Sequence, residues 1–181
     1  MLYLLRHGIT EWNKIHKLQG RTDIPLAEEG REMAREACKQ YQDVHFDVVF
    51  CSPLVRAKET AELVLQGRNL PIIYDERLKE ICFGDYEGTD WVFDKPDHPI
   101  YQFFKDPEHY VAPANAEGFA ELFARTGNFL AEKVDPLLEM GKDVLIVGHG
   151  AMNSSIICQK RGYALKDFWK EGIENCKLKT I

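Results

Sequence analysis

The chain has 181 residues, of which 45% are hydrophobic and 29% charged, and its formal net charge at neutral pH is −6. These values are typical of one globular domain and exclude a strongly basic protein that would bind nucleic acid or an anionic membrane through its overall charge. We therefore expect no nucleic-acid partner and no membrane partner, and no apolar run is long enough to cross a bilayer.

The five cysteines are scattered along the chain and show no C-x-x-C spacing. This usage is typical of reduced thiols and indicates neither a disulfide framework nor a zinc site. We therefore expect a cytoplasmic protein that is a monomer or a weak homodimer.

Short apolar runs alternate with amphipathic segments along the chain. The runs predict strands at 2–5, 46–51, 71–74, 143–147 and 176–181, and helical periodicity predicts helices at 27–42, 53–66, 116–138 and 151–161. This order indicates the α/β class, as a three-layer α/β/α sandwich around a mostly parallel sheet. We expect a single domain over residues 1–181, in which residues of about 85–115 form an insertion or lid over the site.

Three predicted strands end in groups that suit phosphate chemistry, namely Arg6-His7-Gly8, Ser52-Pro53 with Arg56, and Gly148-His149-Gly150. Because ligands bind beyond the carboxyl ends of parallel strands, these groups are expected to meet in one crevice. Two guanidinium forks and two imidazoles together suit a phosphoryl dianion, and the helix after His149 is expected to add N–H groups. Each of these residues, taken alone, also has an ordinary structural interpretation. Arg56, for example, could be a surface cation on a helix.

These residues and their neighbours resemble the histidine phosphatase superfamily, which has the phosphoglycerate mutase-like fold. Its N-terminal signature is matched by Arg6-His7-Gly8 with Thr10, Trp12 and Asn13, followed by Gln19-Gly20, Asp23 and Pro25-Leu26. Its later motifs are matched by Ser52-Pro53 with Arg56-Ala57, by Glu80 with Phe83-Gly84 and Glu87-Gly88, and by Gly148-His149-Gly150. Four ordered motifs cover nearly the whole chain.

The resemblance implies metal-independent hydrolysis of a small phosphorylated metabolite, a phosphomonoester, without a cofactor. His7 would be the nucleophile that becomes a phosphohistidine, and Glu80 would be the general acid and base. The catalytic set would be completed by Arg6, Arg56 and His149, which neutralise charge on the phosphoryl oxygens. Substrate and phosphate contacts are expected from Arg6, Asn13, Gln19, Gly20, Arg56, His149 and Gly150.

Two alternatives stay open, a cofactor-dependent phosphoglycerate mutase and a non-catalytic module that binds a phosphorylated ligand. Residues 78–124 contain no arginine, whereas mutases of this family grip the substrate carboxylate with arginines there, so a phosphatase is favoured. The presence of both His7 and Glu80 argues against a degenerate module. The family's usual Gly-Glu-Ser before the long helix is replaced here, and the role of Glu117 is open.

The predicted lid is rich in aromatic residues, among them Tyr86, Trp91, Phe93, Phe103 and Phe104. Such a stretch could bind an apolar or ring-bearing substrate. It could also be core, which is the more common role of aromatic side chains.

Overall fold

The structure, a computed structural model, describes residues 1–90 and 92–181. Its strands are β1 Leu2–Arg6, β2 Val48–Cys51, β3 Ile72–Tyr74, β4 Val144–Gly148 and β5 Leu178–Thr180. They form one sheet in the order β3-β2-β4-β1-β5. The first four strands are parallel, and β5 pairs antiparallel with β1. The predicted α/β class with a mostly parallel sheet is confirmed.

Helices cover both faces of this sheet and give it three layers. They are α1 Glu11–Lys14, α2 Glu28–Gln40, α3 Val55–Val64, α4 Tyr101–Lys105, α5 Phe119–Phe129, α6 Asp135–Glu139 and α7 Gly150–Arg161. Leu5 shares one buried cluster with Ala34 of α2 and Ala57 of α3, whereas Leu4 shares another with Phe129 of α5. Successive strand residues therefore face opposite helical layers. Within residues 1–90 and 92–181, no helix has the length and apolarity needed to span a membrane.

The long helix predicted over 116–138 is divided. α5 ends at Phe129, a wider π-helical turn spans Leu130–Val134, and α6 begins at Asp135. Pro136 follows in the first turn of α6, where its missing N–H needs no partner inside the helix. The chain therefore stays helical from Phe119 to Glu139, which confirms the predicted long helix, and the π-helical turn before Pro136 is a detail that the prediction did not contain.

The strand ends that carry the predicted site residues lie at one edge of the sheet. Arg6 is the register partner of Gly148, and Cys51 is the register partner of Val147. β4 lies between β1 and β2, so the groups that follow these three strands are neighbours. The crevice expected from the sequence is therefore present.

The lid segment contains short helical pieces, as its sequence predicts. A 3-10 turn spans Gly84–Tyr86, α4 follows, and a second 3-10 turn spans Pro107–His109. Phe103 of α4 is fully buried in a third cluster that also contains Phe83. Trp91, counted among the aromatic residues of the lid, lies outside the described residues.

Candidate active site

A cavity of about 480 Å³ opens at the carboxyl edge of the parallel strands. Among the residues that line it are Arg6, His7, Asn13, Gln19, Gly20, Arg56, Glu80 and Gly150. His149 is fully buried, and its ring centre lies 5.1 Å from that of His7. The structure thus brings together every residue that the sequence predicts for the site.

The imidazole of His7 is held in one tautomer by two partners of fixed hydrogen-bonding character. Its Nδ1–H donates to the carbonyl of Gly8 at 2.7 Å, and the Nε–H of Arg56 donates to its Nε2 at 3.3 Å. A carbonyl can only accept and a guanidinium can only donate, so the proton is on Nδ1. Burial, together with the charges of Arg56 and Arg6, lowers the pKa of His7 well below its ordinary value. Its Nε2 therefore carries no proton, and the electron pair of this nitrogen accepts the N–H of Arg56.

The backbone at Gly8 is fixed on two sides. Its N–H donates to Oγ1 of Thr60 at 3.0 Å. A Cβ at Gly8 would lie 2.5 Å from the carbonyl oxygen of Gly30, and one at Gly30 would lie 2.1 Å from that of Ile9. The backbone at residues 8–9 and the backbone at residue 30 can approach so closely only because Gly8 and Gly30 have no side chain. This close approach fixes the position of the Gly8 carbonyl, which orients His7.

The guanidinium of Arg56 is buried and makes directed hydrogen bonds with all its nitrogens. Besides Nε on His7, its Nη1 donates to the carbonyl of Thr22 at 2.9 Å and its Nη2 to that of Gly20 at 2.6 Å. Burial lowers the pKa of Arg56 to about 10, so the group remains cationic at neutral pH. Gly20, predicted as a phosphate contact, also orients this arginine through its carbonyl.

Glu87 fixes the loop that supplies those carbonyls. Its Oε1 accepts from the N–H groups of Arg21 at 2.8 Å and Phe83 at 3.0 Å. Its Oε2 accepts from the N–H of Thr22 at 2.7 Å and from the Thr22 hydroxyl. Both carboxylate oxygens are thus occupied by the loop, and Glu87 acts on the site through Arg56.

Arg6 and His149 each present a buried nitrogen that has no hydrogen-bond partner in the described part of the chain. Nη1 of Arg6 donates to the carbonyl of Ile173 at 3.3 Å, whereas its Nε is unpartnered. Nε2 of His149 lies 2.7 Å from Oγ of Ser52, whereas its Nδ1 is unpartnered. Buried polar atoms are normally paired, because leaving them unpaired costs about 1–3 kcal/mol each. A bound anion would pair both.

The carboxylate of Glu80 lies at the beginning of α7. Its Oε1 accepts from the N–H groups of Ile81 and Met152, both at 2.9 Å, and its Oε2 accepts from that of Ala151 at 3.1 Å. The expectation that this helix start donates its N–H groups to the phosphoryl group is therefore wrong for residues 151 and 152. The carboxyl group of Glu80 occupies these donors in place of a ligand.

Gly150 lies between the acid and one of the cations. A Cβ at this position would lie 3.7 Å from Oε2 of Glu80 and 3.7 Å from Cζ of Arg6. These separations are ordinary contact distances, so a side chain here would occupy the space between the two groups. Glycine leaves that space to a ligand.

Asn13 and Gln19 are oriented by Thr10. The N–H of Thr10 donates to Oδ1 of Asn13 at 3.0 Å, and its hydroxyl donates to Oε1 of Gln19 at 2.9 Å. With their oxygens engaged, both amides retain NH₂ groups as donors for a ligand in the cavity.

Three contacts at the site could not be read from local sequence patterns. The carbonyl of Ile173 holds Arg6, and Nδ2 of Asn175 donates to the carbonyl of His7 at 2.6 Å. Both residues lie in the irregular segment before β5, which carries no periodicity or motif. Ser52 belongs to a recognised motif, but its contact with His149 depends on β2 and β4 being neighbours.

Glu117, whose role the sequence leaves open, joins the loops behind the cavity. It accepts from Nε and Nη2 of Arg125 at 2.6 and 3.0 Å, from Nη2 of Arg21 at 3.3 Å and from the N–H of Cys82 at 3.3 Å. The side chain is therefore structural.

Comparison with known proteins agrees with this geometry. The chain is 38% identical over 159 residues to the uncharacterized phosphatase PhoE of Bacillus subtilis, covering 88% of this chain and 76% of that protein. It is 30% identical to the 2,3-bisphosphoglycerate-dependent phosphoglycerate mutase 2 of Gloeobacter violaceus, covering 97% and 82% of the two chains. The solved structure of Bacillus stearothermophilus YhfR matches with a TM-score of 0.87 and 33% identity, covering 98% and 88%.

A family model described as the histidine phosphatase superfamily (branch 1) matches residues 2–181. That match includes every strand and every site residue described above. The chain belongs to the histidine phosphatase superfamily and is an enzyme of the phosphatase type.

Proposed function

We propose that the chain hydrolyses a small phosphomonoester through a phosphohistidine on His7, with Glu80 as general acid and base. The observation that carries this proposal is the state of His7. Its Nδ1 proton is held by Gly8, so its Nε2 electron pair is available within a cavity that Arg6 and Arg56 also line. A nucleophile for phosphorus needs that combination of a free electron pair and nearby cations.

In the first step Nε2 of His7 attacks phosphorus while the bond from phosphorus to the leaving oxygen breaks. Arg6, Arg56 and His149 stabilise the charge on the phosphoryl oxygens, and the NH₂ groups of Asn13 and Gln19 add neutral donors. Glu80 gives its proton to the leaving oxygen, which departs as an alcohol.

In the second step Glu80 takes a proton from water, and the water oxygen bonds to phosphorus. The bond from phosphorus to Nε2 breaks, its electron pair returns to His7, and inorganic phosphate leaves. Glu80 supplies the proton in the first step, water supplies it in the second, and Arg6, Arg56 and His149 stabilise the charge, so the proposal includes no cofactor and no metal.

Ser52 sets the protonation of His149 in this proposal. Oγ of Ser52 accepts from the N–H of Leu54 at 3.3 Å and lies 2.7 Å from Nε2 of His149, and in this proposal its hydroxyl donates to that nitrogen. The ring proton of His149 then lies on Nδ1, the buried nitrogen without a partner in the described ranges. That N–H is the donor that we assign to the phosphoryl group.

The remaining proposals concern the molecule as a whole. We propose one domain over residues 1–181 with residues of about 85–115 as the lid, in a cytoplasmic protein that is a monomer or a weak homodimer. Each of the five cysteines is a free thiol, which agrees with a reducing compartment. The partner is a small phosphorylated metabolite.

Mutase activity is a second candidate, favoured by two cations outside the phosphoryl pocket. Lys17 and Lys105 line the same cavity, where an ammonium group could bind the carboxylate of a phosphoglycerate. Incubation with 3-phosphoglycerate and a trace of 2,3-bisphosphoglycerate, which would phosphorylate the histidine of a cofactor-dependent mutase, separates the two activities. A phosphatase releases inorganic phosphate, whereas a mutase yields 2-phosphoglycerate.

Hydrolysis of p-nitrophenyl phosphate in the presence of EDTA tests the proposed function. We expect turnover by the wild type, its loss in His7→Ala, and no change in His45→Ala, which alters an exposed histidine. Acid quenching should trap a phosphohistidine in the wild type only. Absence of turnover with phosphate still bound would instead support a binding module.

A further inference from the structure

One side of the cavity is formed by three aromatic rings, those of Phe93, Phe104 and Trp169, which we call the aromatic wall. The rings of Phe104 and Trp169 are stacked, with centres 5.7 Å apart and planes at 20°. The centre of Phe93 lies 4.6 Å from that of Phe104. The aromatic wall is thus one continuous surface in the cavity that also contains His7 and Glu80.

The aromatic wall differs from the core beneath it. Phe83 and Phe103 also border the cavity, but Phe103 is fully buried and Phe83 is 4% exposed, so these two rings belong mainly to the core. Phe93 is 37% exposed, and Phe104 and Trp169 are partly buried. Large apolar rings left at the surface of a cavity gain free energy when a ligand removes them from water, at about 25 cal/mol per Å².

The rings are fixed before any ligand arrives. The indole N–H of Trp169 donates to the carbonyl of Phe103 at 3.0 Å, so the only polar atom of that side chain is satisfied. Nζ of Lys105 lies 5.8 Å from the ring centre of Phe93. The aromatic wall therefore offers ring faces and ring edges, and its side chains leave no free hydrogen-bonding group for a sugar or a chain of hydroxyls.

The cavity is also too large for a phosphoryl group alone, since about 480 Å³ is within the range of about 300–1,000 Å³ typical of sites for larger ligands. We infer that the leaving group of the substrate carries an aromatic ring, which packs against the aromatic wall while Arg6 and Arg56 hold the phosphoryl group. This inference rests on the proposed function and names the substrate class of the same site.

Three primary alkyl phosphates test this inference, namely propyl, 2-phenylethyl and 2-cyclohexylethyl phosphate. The same kind of phosphorus–oxygen bond is broken in all three, so their rates differ only through the group that is attached. We expect kcat/KM for 2-phenylethyl phosphate to exceed that for propyl phosphate by about tenfold or more, which corresponds to about 1.4 kcal/mol. It should exceed that for the cyclohexyl ester by about threefold, since flat rings interact with aromatic faces beyond their buried area.

Variants of the aromatic wall locate the effect. Phe104→Ala and Trp169→Ala should reduce the ratio of kcat/KM for the phenyl ester to kcat/KM for the propyl ester to about twofold. Phe104→Leu removes the aromatic ring with little loss of side-chain volume. It replaces Phe104→Ala in this test if the alanine variant does not fold. Phe123→Ala is the matched control, because Phe123 contacts Phe168 in the same cluster, with ring centres 6.0 Å apart, but is not a cavity residue.

The outcomes separate the two proposals. Equal kcat/KM for the phenyl and propyl esters in a wild type that hydrolyses both would overturn the inference and leave the proposed function intact. Equal values for the phenyl and cyclohexyl esters would also overturn it, because the site would then select apolar bulk without regard to aromaticity. No turnover of these esters or of p-nitrophenyl phosphate would overturn both.

Discussion

The Nε of Arg56 lies 3.3 Å from the Nε2 of His7, the atom that we propose as the nucleophile. The contact has two consequences for phosphoryl transfer. Before substrate binds, the guanidinium disfavours a proton on Nε2 and so preserves the electron pair. After transfer, the same cation is beside the new phosphorus–nitrogen bond, where it can stabilise the charged oxygens.

The ionisation of His7 gives the first prediction. Burial, Arg56 and Arg6 hold its pKa well below its ordinary value, so its imidazole should stay neutral as the pH falls through the range in which an ordinary histidine takes up its proton. NMR titration of the ring C–H signals, assigned with His7→Ala, checks this. His109 is the internal reference, because its hydrogen bond to Asp106 raises its pKa. A His7 midpoint near the ordinary value of about 6.5 would contradict the prediction.

The second prediction concerns stability. The pKa values of His7 and His149 are both lowered, mainly by burial, whereas both rings take up protons near pH 6.5 once the chain unfolds. The unfolded state then binds more protons, so the free energy of unfolding should fall as the pH drops below about 6.5, by about 1.4 kcal/mol per pH unit for each histidine. Urea denaturation at several pH values measures this slope.

His149→Gln is the control for the stability prediction. It removes one of the two titrating groups, so the fall in unfolding free energy between about pH 6.5 and about pH 5 should become roughly half as steep. An unchanged slope would show that other groups determine the acid sensitivity.

The third prediction concerns Glu80→Gln. A glutamine cannot give up a proton to the leaving oxygen or take one from water, so hydrolysis of alkyl esters should fall by about 10²–10⁴-fold. With p-nitrophenyl phosphate, whose leaving group needs little protonation, the phosphohistidine should still form and then accumulate. Rapid-quench detection of the phosphoenzyme measures this. Asp85→Asn, an acid nearby in the same motif, should behave as the wild type, and loss of phosphoenzyme formation in Glu80→Gln would contradict the assignment.

The fourth prediction concerns Glu87→Gln. Only one glutamine oxygen can accept, so two of the four hydrogen bonds from the loop at 21–22 and from Phe83 are lost. We expect the variant to be destabilised by about 1–3 kcal/mol. Because the loop carbonyls orient Arg56, KM should rise more than kcat falls. Urea unfolding measures the loss of stability, and steady-state kinetics measures KM and kcat. Glu11→Gln, which alters an exposed acid, should change neither the stability nor the kinetic constants.

The sequence predicts that three groups of the candidate site lie close together, for a physical reason. Arg6, His7 and His149 directly follow apolar runs, and parallel strands place their carboxyl ends at one edge of a sheet. The pattern is local, so a single chain reveals it. The glycine on each side of His149 adds to the signal because it suits neither a strand nor a helix.

The groups that orient those residues are less accessible from the sequence. The contact of Ser52 with His149 depends on which strands are neighbours, and periodicity does not determine strand order. Asn175 reaches His7 from an irregular segment. The donors of Ala151 and Met152 go to Glu80 rather than to the ligand, because a carboxylate from a distant loop competes for them.

The position of β4 between β1 and β2 has a consequence for biosynthesis. A nascent chain made as far as residue 143 contains β1 and β2 but lacks β4, the strand that joins them through its hydrogen bonds. The nucleophile, its neighbouring arginine and the general acid are then already made, yet they have no common framework. Non-local pairing of this kind is slow, and Arg6 and His7 are also held by Ile173 and Asn175, so catalytic competence should arise only after the ribosome has passed Asn175.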